Sequence, residues 1–157
     1  MLKVGDKLPE HTFQFLADDG MQSPTTAELF AGKKVVLFAV PGAFTPTCSA
    51  AHLPSYVVHA DAIKGQGVDA IICTSVNDAF VMKAWGDSAN AEHLVMLADG
   101  DGAFAKAIGM AVDTGAFGGL RSQRYSMVVD DGVVSALNVD EPMQYEVSGA
   151  ETILEQL

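Results

Sequence analysis

Six consecutive apolar residues, Val35-Val36-Leu37-Phe38-Ala39-Val40, follow the basic pair Lys33-Lys34 and run straight into Pro41-Gly42. A run this short, with no polar alternation, reads as a strand buried on both faces, so the chain must cover a sheet from two sides. Val68-Asp69-Ala70-Ile71-Ile72-Cys73-Thr74 repeats the pattern after a helical stretch, which makes a β-α-β unit. Further on, Tyr125-Ser126-Met127-Val128-Val129 and Val133-Val134-Ser135-Ala136-Leu137-Asn138-Val139 flank Asp130-Asp131-Gly132, which holds an Asp-Gly hairpin turn. An antiparallel pair therefore joins the sheet, which is mixed. Caps mark the helices. Thr25-x-x-Glu28 is a capping box for a short helix stopped by Gly32, and Ser148-x-x-Glu151 is another for a C-terminal helix through Leu157. Asn77 is placed to cap a helix from Asp78 to Trp85 closed by Gly86, and Asp101 one from Gly102 to Ile108 closed by Gly109. The expected fold is α/β, a central mixed β-sheet with helices on both faces.

Length and charge narrow the function. The 157 residues fit one domain, 1–157, without repeats or linkers, and 49% apolar against 18% charged residues excludes a disordered chain. Nine Lys and Arg oppose twenty Asp and Glu, for a formal charge of −11. Such a surface repels phosphate backbones and anionic lipid, so neither nucleic acid nor a membrane is an expected partner. The first residues lack a basic start and an apolar run, and no apolar stretch reaches the roughly 18 residues of a membrane helix; a cytoplasmic location is expected. Cys48 and Cys73 are the only cysteines, too few for a secreted disulfide scaffold, and are read as free thiols.

The chemistry lies in Pro41-Gly42-Ala43-Phe44-Thr45-Pro46-Thr47-Cys48-Ser49-Ala50-Ala51-His52-Leu53-Pro54, directly after the first buried strand. Thr45 reads as an N-cap, Pro46 as the first helical residue and Cys48 as the third. Free N–H groups and the positive end of the helix dipole favour a sulfur there as thiolate. Pro54 removes a backbone hydrogen bond and crowds the carbonyl of Ala50, so a kink is expected near that residue. A buried filler is the usual fate of a lone cysteine, but the carboxyl end of a strand is where α/β folds put ligands and nucleophiles. A thioredoxin-type dithiol would need Cys-x-x-Cys; here Thr45 holds the first position, which leaves oxidation of one sulfur.

Pro41-x-x-x-Thr45-x-x-Cys48 resembles the peroxiredoxin signature, and the run from Pro41 to Pro54 is similar to the type-five (atypical) branch of that family. Val76-Asn77-Asp78-Ala79-Phe80, Arg124-Tyr125-Ser126-Met127-Val128-Val129-Asp130 and Ala136-Leu137-Asn138-Val139 extend the likeness over almost the whole chain. The resemblance implies a thioredoxin-like fold and a thiol peroxidase acting on hydrogen peroxide and organic hydroperoxides, an antioxidant role in cell redox homeostasis. It implies that Cys48 is the peroxidatic cysteine and becomes sulfenic acid. Thr45 would hydrogen-bond thiolate and peroxide, Pro41 would shield the sulfur from water, and Arg124 would pair with the thiolate and orient the peroxide. It also implies a homodimer, with Phe44 and Phe117 beside the pocket and the dimer contact, although Phe44, Phe80 and Phe117 read by default as core. Gly115-Ala116-Phe117-Gly118-Gly119 is flexible enough to form a pocket lip.

Sulfenic acid must be reduced by a thiol. Cys73 sits in a buried β pattern, and no cysteine follows it. A one-cysteine cycle is therefore expected, completed by glutathione and glutaredoxin, with thioredoxin as the alternative. His52, four residues after Cys48, is placed either to tune the thiolate or donate within the pocket, or to be a satisfied structural histidine. His11, His59 and His93 show no metal spacing, Gly65-Gln66-Gly67 is no dinucleotide fingerprint, and Asp99-Gly100-Asp101-Gly102 lacks the ligand series of a calcium loop; no metal or cofactor is expected. Two other classes stay open: a non-enzymatic peroxide sensor or redox-regulated holdase using Cys48, and a small-molecule binding module with an inert cysteine.

Overall fold

The computed structural model describes residues 1–157. In chain order the elements are β1 (Phe15–Ala17), β2 (Gly20–Gln22), α1 (Thr26–Phe30), β3 (Lys34–Ala39), α2 (Leu53–Lys64), β4 (Ala70–Ser75), α3 (Ala79–Ser88), β5 (Val95–Ala98), α4 (Ala103–Ala107), β6 (Ala111–Asp113), β7 (Leu120–Ser122), β8 (Tyr125–Asp130), β9 (Val133–Val139) and α5 (Ala150–Gln156). A π-helical turn, Cys48–His52, leads into α2, and a 3-10 turn, Gly115–Phe117, links β6 to β7.

The main sheet runs β5-β4-β3-β8-β9. β3 lies at its centre, parallel to β4 and antiparallel to β8, and the hairpin partner β9 forms the edge. The mixed sheet follows from the sequence pattern: a doubly buried strand crosses over through a helix, whereas an Asp-Gly turn reverses directly. Asp131 and Gly132 both adopt positive φ, 49° and 81°, as a tight right-twisting hairpin demands. Alternate β3 residues point to opposite cores. Val36 and Phe38 pack with α2, α3 and α5, while Val35, Leu37 and Ala39 pack with α1 and α4. Helices therefore cover both faces. β1-β2 and β6-β7 form two further two-stranded ribbons that the sequence pattern did not signal.

Register decides what meets what. Ala39 at the end of β3 pairs with Tyr125 at the start of β8. Because the two strands are antiparallel, the residue just before β8, Arg124, is delivered to the same sheet end at which β3 releases Pro41 and the following helix.

The capping box of Thr25 and Glu28 is formed. Three other caps differ from the sequence expectation. Asp78, not Asn77, accepts from the Val81 amide, and α3 continues through Gly86 to Ser88. Asn77 is unavailable because its Oδ1 accepts from the Ala43 amide at 3.0 Å and from the Ser75 hydroxyl at 2.6 Å. Gly86 does not stop the helix; a Cβ there would press on Met96, so it serves the close packing of α3 on β5. At α4, Gly102 takes the N-cap position with φ 75°; Asp101 Oδ1 accepts from the Ala103 amide at 3.1 Å, as expected of a residue at this helix start, but the Asp99 carboxylate takes the amides of Phe104 and Ala105. At α5, Gly149 is the N-cap, because the Ser148 hydroxyl donates to Asp140 instead.

Candidate active site

β3 ends against Pro41, and the next helix opens at Pro46, as the Thr-Pro pair predicts. The Thr45 carbonyl accepts from the Ser49 amide at 2.9 Å, the first bond of that helix. Its hydroxyl does not act as a cap acceptor. It donates to the Gly42 carbonyl at 2.7 Å and tightens the preceding loop. The irregularity expected from Pro54 takes the form of the π-turn, in which the Leu53 amide reaches back five residues to the Cys48 carbonyl. Pro54 has no N–H with which to continue the regular ladder, and the wider register absorbs that loss.

Cys48 is buried within the core beneath α2 and α3. Arg124, only 8% exposed, donates from Nη2 to its Sγ at 3.1 Å. The other terminal nitrogen, Nη1, donates to His52 Nδ1 at 2.7 Å. A guanidinium can only donate, so Nδ1 is the acceptor and the imidazole proton sits on Nε2, from which it donates to the Ser148 carbonyl at 2.9 Å. Burial first, and the Arg124 charge second, lower the His52 pKa to about 3, which keeps the ring neutral. His52 is thus fully buried and satisfied, and it touches Arg124 rather than the sulfur.

Pro41 and Thr45 lie on the loop between β3 and the helical turn that carries Cys48. The Pro41 carbonyl accepts from Arg121 Nη1 at 3.1 Å, while Arg121 Nε donates to the Gly118 carbonyl at 3.1 Å. Arg121 therefore ties the loop after β3 to the Gly115–Gly119 segment. Sequence reasoning singled out only Arg124. The available signal was that Arg121 is the other arginine of the chain and lies among glycines; a Cβ on Gly42 or Gly118 would collide with its guanidinium. Asn77 adds a third tie through Ala43, and Phe44 is held at φ 62°.

The aromatic residues correct a default expectation. Phe44, Phe80 and Phe117 are exposed, by 55%, 65% and 82%, and none is core. Cys73 is in the core on β4, and burial pushes its thiol well above the ordinary range, with the nearby Cys48 adding to the effect. Trp85 Nε1 donates to Ser49 Oγ at 2.9 Å, placing the single tryptophan against the residue that follows Cys48.

The arrangement is a buried sulfur near a helix start with a fixed cation beside it. Comparison with known proteins names the family. The Redoxin family model matches residues 3–154. Peroxiredoxin-2B of Arabidopsis thaliana is 44% identical over 159 residues, covering 99% of this chain and 98% of that protein. The crystal structure of reduced Prx3 in complex with H2O2 from Vibrio vulnificus shares 61% identity and superposes with a TM-score of 0.97, covering 99% of each chain. Peroxiredoxin 5 from Alvinella pompejana shares 34% identity with a TM-score of 0.85, over 99% of this chain and 97% of that one. The chain belongs to the peroxiredoxins, as a Prx5-like member with a thioredoxin-like fold, and it is a thiol-dependent peroxidase.

Proposed function

We propose that Cys48 is the peroxidatic cysteine and that Arg124, Thr45 and the loop from Pro41 form its peroxide site, acting on hydrogen peroxide and small organic hydroperoxides. The observation that carries the reading is the Arg124 Nη2 to Cys48 Sγ contact at 3.1 Å, since a buried cation beside one sulfur favours the thiolate and the negative charge that develops in attack. The thiolate attacks one peroxide oxygen. A sulfur–oxygen bond forms, the oxygen–oxygen bond breaks, and the departing hydroxide or alkoxide takes a proton to leave as water or alcohol. Cys48 is oxidised to sulfenic acid and the peroxide is reduced. Thr45 has its own proton on Gly42, so its lone pairs are free to accept from a hydroperoxide O–H. The Vibrio vulnificus relative, crystallised with H2O2, supports the substrate class.

The loop that carries Pro41 needs Arg121. Gly42→Ala would put a methyl group where the Arg121 guanidinium lies and break its bond to Pro41. This variant is expected to react with hydrogen peroxide about tenfold more slowly, because small misplacements of reacting groups are costly. Stopped-flow kinetics of the reduced protein, followed through Trp85 fluorescence, measure it; an unchanged rate would remove Arg121 from this account.

An external thiol would complete the cycle, glutathione with glutaredoxin first and thioredoxin as the alternative. One thiol condenses with the sulfenic acid and releases water, and a second releases the reduced cysteine and a disulfide. The burial and raised pKa of Cys73 support this one-cysteine reading. Membership of both cysteines in one core cluster favours a second reading, a Cys48–Cys73 disulfide formed after local unfolding. Intact mass under non-reducing conditions after one equivalent of peroxide separates them. Added oxygen is expected; loss of two hydrogens from the monomer mass establishes the second route. A reductant panel under steady-state peroxide consumption then identifies the partner. Oxidation that stops after one equivalent with every thiol would favour a sensor instead. The exposed Phe44, Phe80 and Phe117 support a homodimer, which light scattering over a concentration series tests.

A further inference from the structure

Arg124 has no carboxylate partner among the ion pairs of the structure. Its guanidinium is oriented by neutral groups. Nη1 donates to His52 Nδ1 at 2.7 Å, and the Tyr145 ring lies 5.6 Å from its central carbon. Each of these groups is in turn anchored to the segment between β9 and α5. His52 Nε2 and the Tyr56 hydroxyl both donate to the Ser148 carbonyl, at 2.9 and 2.7 Å. Tyr145, whose ring stands 4.9 Å from that of His52, reaches Ser55 Oγ through its hydroxyl at 3.2 Å. The segment is folded around one buried carboxylate: Asp140 accepts from the amides of Glu146 and Val147 at 2.9 and 2.8 Å and from the Ser148 hydroxyl, while its own amide donates to the Arg124 carbonyl at 3.0 Å. The chain of contacts thus starts and ends on Arg124.

We propose that His52 is a positioning residue, which transmits the order of the Asp140–Ser148 strap to the Arg124 guanidinium and so aims the second guanidinium nitrogen at Cys48. An aspartate in place of His52 would form an ion pair with Arg124 and draw charge from the sulfur. A neutral acceptor fixes direction and leaves the positive charge for the thiolate and the peroxide. The same logic explains why the imidazole is held in one tautomer: the strap carbonyl takes the Nε2 proton, which forces Nδ1 to accept. Two nitrogens of one ring are therefore used at once, one to read the strap and one to hold the arginine.

The inference rests on Arg124 acting at Cys48, and its test separates the two. Three substitutions divide the functions of the ring. His52→Asn can keep an acceptor near the Nδ1 position, His52→Gln can keep a donor near Nε2, and His52→Leu keeps neither. Peroxide oxidation of Cys48 is followed by stopped flow in these variants, in Arg124→Gln, and in the Arg124→Gln/His52→Leu double variant. His52→Leu is expected to lose about tenfold in rate, His52→Asn to recover most of that loss and His52→Gln to recover little. In the Arg124→Gln background His52→Leu should cost less than about twofold, since a residue acting only through a partner has nothing left to orient. An equal loss in both backgrounds, no loss at all, or a Gln variant faster than the Asn variant overturns the proposal. If His52→Leu fails to fold, the ranking of Asn over Gln decides alone. Arg124→Gln reacting at the parent rate would instead sink the assignment of Arg124 itself.

Discussion

Replacing Arg124 by Gln lowers the rate of Cys48 oxidation by hydrogen peroxide by about a thousandfold, the upper range for removing one preorganised donor from a site of developing charge. Thr45→Val costs about a hundredfold for a different reason, since it removes both the acceptor for the hydroperoxide O–H and the bond to Gly42 that shapes the loop, and Cys48→Ser fixes the floor. Ionisation alone cannot account for losses of this size. A free thiol with a pKa of about 8.5 is roughly 3% thiolate at neutral pH, so full ionisation is worth only about 30-fold, or about 2 kcal/mol. A more acidic thiol is moreover a weaker intrinsic nucleophile. The remaining acceleration must come from groups that bind the peroxide more strongly as its oxygen–oxygen bond breaks. Arg124 Nη2 at 3.1 Å from Sγ is placed to do this, and a glutamine amide carries neither the charge nor the second nitrogen that His52 holds. Alkylation by iodoacetamide reports the thiolate without a peroxide. Its rate should fall far less than the peroxide rate in Arg124→Gln, because alkylation senses any loss of thiolate but not the loss of peroxide stabilisation. If peroxide and iodoacetamide rates fall in the same proportion, the transition-state role is wrong and Arg124 only sets the charge on the sulfur.

The strands that meet at this site were legible because their signals are local and long. Val35–Val40 and Ala70–Cys73 are unbroken apolar runs, and Asp131-Gly132 can hardly be anything but a hairpin turn. By contrast β1, β2, β6 and β7 have three residues each, too few to show a period, and only their pairing defines them. The missed caps have one cause. Asn77, Ser148 and Asp101 sit at positions where a side chain could serve its own helix, but Asn77 and Ser148 are claimed by Ala43, Ser75 and Asp140 from elsewhere in the fold, and Asp99 takes the Phe104 and Ala105 amides, leaving Asp101 that of Ala103. Competition of this kind is invisible in a local motif. The position of Cys48 behind Thr45-Pro46 was readable from helix-start chemistry. The proximity of Arg124 was not, because it arises from the antiparallel register of β8 on β3. Arg121 and the Asp140–Ser148 strap escaped for the same reason, since each acts through contacts between distant segments.

The neutral His52 also sets how the protein responds to acid. Its pKa of about 3 in the folded state, held down first by burial and then by Arg124, lies far below the ordinary value of 6.5 that it regains on unfolding. Between those values the unfolded chain binds a proton that the folded chain refuses, so stability must fall as the pH drops through this window. The contribution is complete above about pH 6.5 and amounts to a loss of about 2 kcal/mol by about pH 5, approaching the limiting slope for one proton. Asp140 acts in the same direction but later. Burial opposes its ionisation, yet the hydrogen bonds from Ser148, Val147 and Glu146 outweigh that and hold its carboxyl below the usual range. Its share is present above about pH 4 and is lost only below that, so the interval from about pH 6.5 to 5 isolates the histidine. Urea unfolding followed by Trp85 fluorescence at several pH values measures the slope. His52→Asn, which cannot be protonated, should flatten the curve across that interval whatever it does to stability at pH 7. Parallel curves for the parent and His52→Asn would mean that the ring takes up its proton while folded. The acceptor that holds Arg124 in line with Cys48 would then be lost at mildly acidic pH, and peroxide reactivity would have to fall with it.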